Sequence, residues 1–431
     1  MSLLIKNGHI LDPANGRDEI CDIYMEGETI TETGKDLSLD GKFKEGDSQT
    51  VIDASGKYVM PGFVDLHVHL REPGFEYKET IKTGTAAMAK GGFTAVCPMP
   101  NTKPATDSPE MIRKILAIAK RDSRIHVYPV GAVTKGQQGK EITDIAGMVK
   151  AGARAISEDG KSVMDAGLYR KAMKEAAKAG IPVLAHCEDK NMVGHGAINA
   201  GKKAEELGIE GITNSVEDVI VARDILLAKE TGARLHLCHC STEDSVKMVA
   251  AARERGLAVS GEVCPHHFSM TEEDIPGDDA NYKMNPPLRS ERDVEALCRG
   301  LSEGVMEAIS TDHAPHGEDE KKISIAQAPF GIVGSETAYA LAVTYLVKKG
   351  YLTPMQLAER MSTGPCRILG VPGGNLSPGM PADIVITDMD SEYTIDRETF
   401  VSKGRNTPFH GLKVYGRVYY TIVGGHVVYK F

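Results

Sequence analysis

The stretch Gly62-Phe63-Val64-Asp65-Leu66-His67-Val68-His69 opens the middle of the chain as an apolar run ending in two histidines. Seven more runs of this build follow: FTAVCPMPN (93–101), IHVYPVGAVT (125–134), ARAISEDG (153–160), IPVLAHCED (181–189), RLHLCHCST (234–242), LAVSGEVCPHH (257–267) and EAISTDHAP (307–315). Helical patterns separate them, among them ETIKTGTAAMAKGG (79–92), GLYRKAMKEAAKAG (167–180), SVEDVIVARDILLAKETG (215–232) and TEDSVKMVAAARERG (242–256). Eight β-then-α units without doubling back predict an α/β fold of the (β/α)8 TIM-barrel type. A doubly wound open sheet explains eight units less well, and no Gly-x-Gly-x-x-Gly follows the first strand.

Both ends of the chain change period. LLIKNGHILDP (3–13), CDIYMEGETI (21–30) and TVIDASGKYVMPG (50–62) alternate apolar and polar residues between turn signals. So do ADIVITDMD (382–390), LKVYGRVYYTIVGG (412–425) and HVVYKF (426–431). Such alternation predicts antiparallel strands with one wet face. The two ends are expected to fold together as a small composite β-sandwich, residues 1–60 and 366–431, beside a catalytic barrel over 61–365.

The bulk numbers narrow the function. With 41% hydrophobic and 26% charged residues the composition is ordinary for a globular chain of 431 residues. A net charge of −10 and the lack of any Lys/Arg-rich tract argue against nucleic acid or an anionic membrane as partner. No run of about 18 apolar residues occurs, so no membrane span is expected. The start of the chain lacks a basic n-region and reads as a strand, not a signal peptide. The eight scattered cysteines form no Cys-x-x-Cys pair, which fits free thiols in the reducing cytoplasm.

Polar residues gather at the C-terminal ends of the expected strands, the face where barrel enzymes keep their chemistry. His67 and His69, two apart, point the same way. Glu158 and Asp159 end the fourth strand, His186 the fifth, His239 the sixth and Asp312 the eighth. Histidines and acids converging on one opening suit a metal centre better than a polar core, because unpartnered buried groups each cost a few kcal/mol. Six ligands, His67, His69, Asp159, His186, His239 and Asp312, are enough for two ions. By alternation Cys238, Cys240 and His236 should face away from His239. His266 and His267 end the seventh strand with room for a supporting role. His9, His126, His195, His410 and His426 are taken as structural or surface residues. Asp312 is the candidate proton carrier, since amide hydrolysis needs a base toward water and an acid toward the departing nitrogen; a pure ligand is the other reading.

These residues resemble the amidohydrolase superfamily. Finer motifs are similar to its class I (bacterial-type) dihydroorotase family: Asp65-Leu-His-Val-His-Leu-Arg-Glu-Pro-Gly74, Pro98-Met-Pro-Asn-Thr102, Asn285-Pro-Pro-Leu-Arg289 and Ser310-Thr-Asp-His-Ala-Pro315. The resemblance runs nearly end to end. It implies a zinc enzyme with one or two ions per chain: His67, His69 and Asp312 on one, His186 and His239 on the other, Asp159 bridging. It also implies Asp312 as catalytic acid and base. The implied substrate set is His69, Arg71, Asn101, Asn285, His316, Phe330 and Gly331. Arg71, Asn101 and His316 would hold a carboxylate, and Asn285 with the Phe330–Gly331 backbone the ring or carbamoyl part.

Arg71 carries the substrate argument by its own chemistry. A guanidinium two residues past His69 offers a forked, permanent charge to a carboxylate, unless it pairs with Glu72 or Glu76. Asn101 and Asn285 also fit plain turns. Many relatives bridge the metals with a carboxylated lysine; here the fourth strand ends in acids, and Lys161 lies past the Gly160 turn. Residues 316–334 overhang the site as a lid or a surface loop. The leading expectation is interconversion of N-carbamoyl-L-aspartate and L-dihydroorotate in pyrimidine (UMP) biosynthesis. The alternatives are a hydantoinase, dihydropyrimidinase or allantoinase, and a silent scaffold for aspartate transcarbamoylase. A homodimer is the expected assembly, with aspartate transcarbamoylase as a candidate partner.

Overall fold

The computed structural model describes residues 2–38 and 49–431. The eight expected barrel strands form as Phe63–Val68, Phe93–Pro98, Val130–Ala132, Ala155–Ser157, Val183–Ala185, Leu235–Leu237, Val259–Val263 and Ala308–Ile309, here numbered one to eight. Their ladders are parallel throughout. The third unit is split at Pro129, which has no N–H to donate: His126–Val127 pairs with strand two and Val130–Ala132 with strand four. The ring closes where Val68 pairs with His313 and the His69 N–H donates to the His313 carbonyl at 2.8 Å.

The helices between strands begin and end on local signals. Thr80 caps Ile81–Lys90, and Ser108 caps Pro109–Asp122 ahead of a proline in its first turn. Asp165 caps Ala166–Ala179, which stops at Gly180 with φ +71°. Inside the barrel, Val64, Leu66, Ala95, Cys97, Val130, Ala155, Leu184, Cys238 and Ala308 form one buried cluster. Their modest size lets the ring fill itself and leaves the larger polar side chains to the strand ends.

Both ends of the chain do build one sandwich-like sheet of eight strands. The seam is Tyr58–Pro61, which runs parallel to Ser2–Asp12 on one side and antiparallel to Ile384–Thr394 on the other. Alternation sorts its faces: Ile384 and Ile386 pack with Ile5, Ile23 and Val59, while Val385 and Met60 pack toward the barrel. Two expectations are corrected here. The N-terminal strands are not wholly antiparallel, because Gln49–Asp53 also pairs with Ser2–Asp12 in parallel. Nor is one face wet along Ser2–Asp12, most of which is buried. A sheet pressed against a barrel on one side and its own curled partner strands on the other buries both faces. Of the expected 1–60 segment, Met1 and residues 39–48 lie outside the described residues.

Candidate metal centre and active site

Five strand ends bring the six expected ligands together. His67 Nε2 lies 3.1 Å from Asp159 Oδ1 and 3.5 Å from Asp312 Oδ1. His69 Nε2 is 3.0 Å from Asp312 Oδ1 and 3.6 Å from Asp159 Oδ2. Across the cup, His186 Nδ1 sits 2.9 Å from His239 Nε2 and 3.5 Å from Asp159 Oδ1. Ligand atoms sharing one ion at about 2.0–2.3 Å stand roughly 3–4 Å apart, so these spacings fit. His67, wholly buried, has no hydrogen bond of good geometry at either ring nitrogen, although carboxylates face both. A donor set converging on shared points without satisfying itself suits cations. Asp159, with one oxygen toward His67 and His186 and the other toward His69, has the bridging position.

The electrostatics follow from the crowding. Burial alone would lower the His67 imidazole, but Asp159 above all, with Cys238 and Asp312, holds it well above the usual histidine range. Burial would likewise raise Asp312, yet His67 and His69 hold its carboxyl well below the usual carboxylate range. Arg71, His239 and Asp312 adopt φ of +62°, +36° and +47°. Such left-handed backbone costs about 1–3 kcal/mol per non-glycine residue and gathers where function over-determines the chain.

Three of the four histidines have their far nitrogen oriented by a second partner. His67 Nδ1 faces Glu262 Oε1 at 3.3 Å, His69 Nδ1 contacts Asn101 Oδ1 at 2.9 Å, and His186 Nε2 contacts Glu188 Oε2 at 3.2 Å. Such partners fix the ring and its tautomer. Glu262, fully buried, also accepts from His236 Nε2 (2.9 Å), Ser310 Oγ (2.6 Å) and the His239 N–H (3.2 Å). Sequence reasoning missed Glu262, though a carboxylate inside the apolar run of strand seven was a legible signal. It also misplaced His236 and Cys238, which face the barrel interior. Strand six ends at Leu237, and the left-handed turn at His239 breaks the alternation that would have sent His239 outward. Cys240 packs in the outer core as expected.

Glu158 turns away to accept from the Thr134 N–H at 3.0 Å, so Asp159 is the strand-four acid that enters the cup, and Lys161 is exposed. His266 and His267 are buried beside Cys264, and His267 Nε2 reaches the Pro286 carbonyl at 2.9 Å. Arg289 of the Asn285–Arg289 motif is buried structurally, donating to Ser241 Oγ, Asn199 Oδ1 and the Ile212 carbonyl.

Above the ligands lies a cavity of about 160 Å³, lined by His69, Arg71, Asn101, Asp159, His186, His239, Asn285, Asp312, Phe330 and Gly331, with Gly160 and Ala314. Arg71 donates to the Pro315 carbonyl at 3.1 Å and makes no ion pair with a carboxylate among the described residues. Asn101 is already engaged twice, with His69 and, through Nδ2, with Asp159 Oδ2 at 2.9 Å. His316 stands behind Arg71 rather than on the cavity wall. Its Nε2 donates to the Phe330 carbonyl at 2.8 Å and its Nδ1 lies 3.1 Å from Lys78 Nζ. Burial, then the charges of Arg71 and Lys78, keep it neutral. Gly331, at φ +124°, has no room for a Cβ, which would meet Ala314 Cβ at 2.6 Å. Residues 316–334 border the site through Phe330 and Gly331. Lys321 pins them, donating to the carbonyls of Ala280, Lys283 and Pro329 at 3.0, 3.2 and 2.8 Å.

Residues 56–245 match the family described as dihydro-orotase-like. The full chain is 48% identical over 428 residues to the dihydroorotase of Pelotomaculum thermopropionicum, covering 99% of this chain and 98% of that one. The chain belongs to the dihydroorotase family. Dihydroorotases of Caldanaerobacter subterraneus subsp. tengcongensis and Staphylococcus aureus are 46% and 47% identical, again over 98% or more of both chains. Among solved structures, the L-hydantoinase (dihydropyrimidinase) of Arthrobacter aurescens superposes with a TM-score of 0.87 at 26% identity, covering 99% of this chain and 96% of that one. The D-hydantoinase of a Thermus species gives 0.83 at 29% identity over 99% and 94%. The expected amidohydrolase barrel with its terminal sheet is thus the observed architecture. Among the described residues, no helix is long and apolar enough to cross a membrane.

Proposed function

We propose that this chain catalyses the reversible interconversion of L-dihydroorotate and N-carbamoyl-L-aspartate in pyrimidine (UMP) biosynthesis, with one or two zinc ions held by His67, His69, Asp159, His186, His239 and Asp312. The observation that carries the reading is Arg71: a guanidinium on the wall of the metal cavity that forms no ion pair with a carboxylate among the described residues. A neutral ring offers such a charge only carbonyl acceptors, whereas the carboxylate of dihydroorotate offers it an opposite charge in a forked geometry. Bound zinc would polarise the amide carbonyl and ease ionisation of water.

The protein's own groups then divide the work. Asp312, ionised and facing the cavity, takes a proton from the attacking water as the O–C bond forms. It returns that proton to the ring nitrogen as the C–N bond breaks. In the synthetic direction it takes the proton from the carbamoyl nitrogen as the C–N bond closes the ring. That proton goes to the carboxyl oxygen, which leaves as water when the C–O bond breaks. Arg71 holds the carboxylate, with His69 beside it. Asn101 and His316 support that corner chiefly by fixing His69, Asp159 and the Phe330 carbonyl. Asn285 and the backbone of Phe330 and Gly331 flank the ring.

A substrate panel of dihydroorotate, dihydrouracil, hydantoin and allantoin with added zinc tests the reading. Preference for dihydroorotate is expected, and faster turnover of a neutral ring would overturn it in favour of a hydantoinase. The complete ligand set speaks against a silent scaffold. The eight buried free cysteines support a reducing, cytoplasmic setting. Exposed Val219 and Leu226 on the helix Ser215–Thr231 support a homodimer, which sedimentation velocity checks. Association with aspartate transcarbamoylase rests on the family resemblance, with co-purification as its test. The 1–60, 61–365 and 366–431 division is likewise proposed, supported by the seam at Tyr58–Pro61.

A further inference from the structure

We infer that Glu188 is a positioning residue whose single carboxylate sets both the tautomer of His186 and the face that Asn285 presents to the cavity. The metal half rests on the proposed metal centre, and the substrate half on the dihydroorotase reading.

Glu188 lies at the rim just past strand five, its side chain 12% exposed. Oε2 is 3.2 Å from His186 Nε2, and Oε1 is 3.0 Å from Asn285 Nδ2. An ionised carboxylate only accepts hydrogen bonds, so both neighbours must donate. His186 therefore carries its proton on Nε2. That leaves Nδ1, which points to Asp159 Oδ1 and His239 Nε2, as the nitrogen that would give up its proton and offer its lone pair to a metal. Asn285 must turn its NH2 to Glu188, and its Oδ1 acceptor remains for the cavity it lines. An acceptor there suits a ring N–H or carbamoyl NH2.

Both sides of this bridge are held in place. Ser162 staples the turn that carries Glu188: its Oγ donates to the His186 carbonyl at 2.7 Å and accepts the Glu188 N–H at 3.2 Å. Buried Arg289 fixes the far end of the Asn285 loop through Ser241, Asn199 and Ile212. Glu188 thus meets both partners with little freedom to choose another pose.

The test is Glu188→Gln, equal in size but with one donor and one acceptor, so it cannot accept from both neighbours. Wild-type turnover of dihydroorotate is measured first, since its absence overturns the substrate reading and not the tautomer argument. In E188Q the His186-bound zinc should weaken by about 10–100-fold in a competition titration with a chelating dye. KM for dihydroorotate should rise while the thermal midpoint stays near wild type. Asn285→Ala should raise KM and leave zinc affinity alone. Adding E188Q to it should then weaken zinc with little further change in KM. Glu188→Asp, which keeps the acceptor-only head, should recover part of both losses, and this separates the role from packing. Wild-type zinc affinity in E188Q, or a Glu188→Asp no better than the glutamine, overturns the inference.

Discussion

The two sides of the metal cup are built differently. His67, His69 and Asp312 stand where the barrel closes on itself, tied by the His69 N–H to His313 carbonyl bond and by the buried carboxylate of Glu262. His186 and His239 follow the last residues of strands five and six, Ala185 and Leu237, away from that closure. Their outer support differs: Glu188 at the rim orients His186, while His239 is held through its N–H to Glu262. The Nδ1 of His239, like that of His67, has no hydrogen-bond partner among the described residues. Ligands tied to the backbone closure are preorganised, so binding costs them less ordering than ligands oriented from the exposed rim. The closed side should hold the tighter ion.

The largest effect should come from the group with no substitute on either side. Asp312→Ala is expected to lower kcat by about 10²–10⁴-fold with the fold intact by circular dichroism; near-normal turnover would remove Asp312 from proton transfer. Next come the ligands themselves. His186→Ala should purify with about one zinc per chain, whereas His67→Ala should lose nearly all of it, because His67 faces both Asp159 and Asp312. Equal losses by elemental analysis would erase the distinction between the sides.

Arg71 belongs to neither set of ligands and sharpens the contrast between machinery and recognition. Arg71→Ala should raise KM for dihydroorotate by about 10–100-fold, the worth of a charge-assisted hydrogen bond, and leave zinc content unchanged. Unaltered dihydroorotate kinetics would favour a neutral-ring amidase.

The smallest effect is a proton count. His67 and His186 are both held above the ordinary value of 6.5 in the metal-free chain: burial opposes this, but Asp159 outweighs it at His67, and Glu188 and Asp159 do so at His186. Zinc needs neutral imidazoles, so loading at pH 7 should release protons into a weakly buffered indicator solution. The same shifts stabilise the metal-free fold fully below about pH 6.5, and that contribution is lost as pH rises through the raised values. Zinc uptake without proton release would show the apo histidines to be neutral already.

Much of this was legible in the sequence because the decisive signals are local. Apolar runs ending in His67-x-His69, Asp159, His186, His239 and Asp312 marked both the barrel and its reactive face. Where a local rule was broken by tertiary geometry, reading failed. The left-handed turn at His239 reversed the parity that had pointed His236 and Cys238 outward. The parallel pairing of Gln49–Asp53 with Ser2–Asp12 was invisible to a pattern that records alternation and not direction.

By itself the sequence determined the order of β and α units, the chemical identity of the ligands and the presence of Arg71 beside them. These depend on side-chain type and on the two-residue period of a strand, which is fixed by covalent geometry. Only the tertiary structure decided which nitrogen of His67, His69 and His186 faces the centre. That choice lies with Glu262, Asn101 and Glu188, which reach their rings from a distant strand, from a neighbouring loop and from the same turn. A ring nitrogen's role is set by whatever partner closure of the barrel brings to its other side.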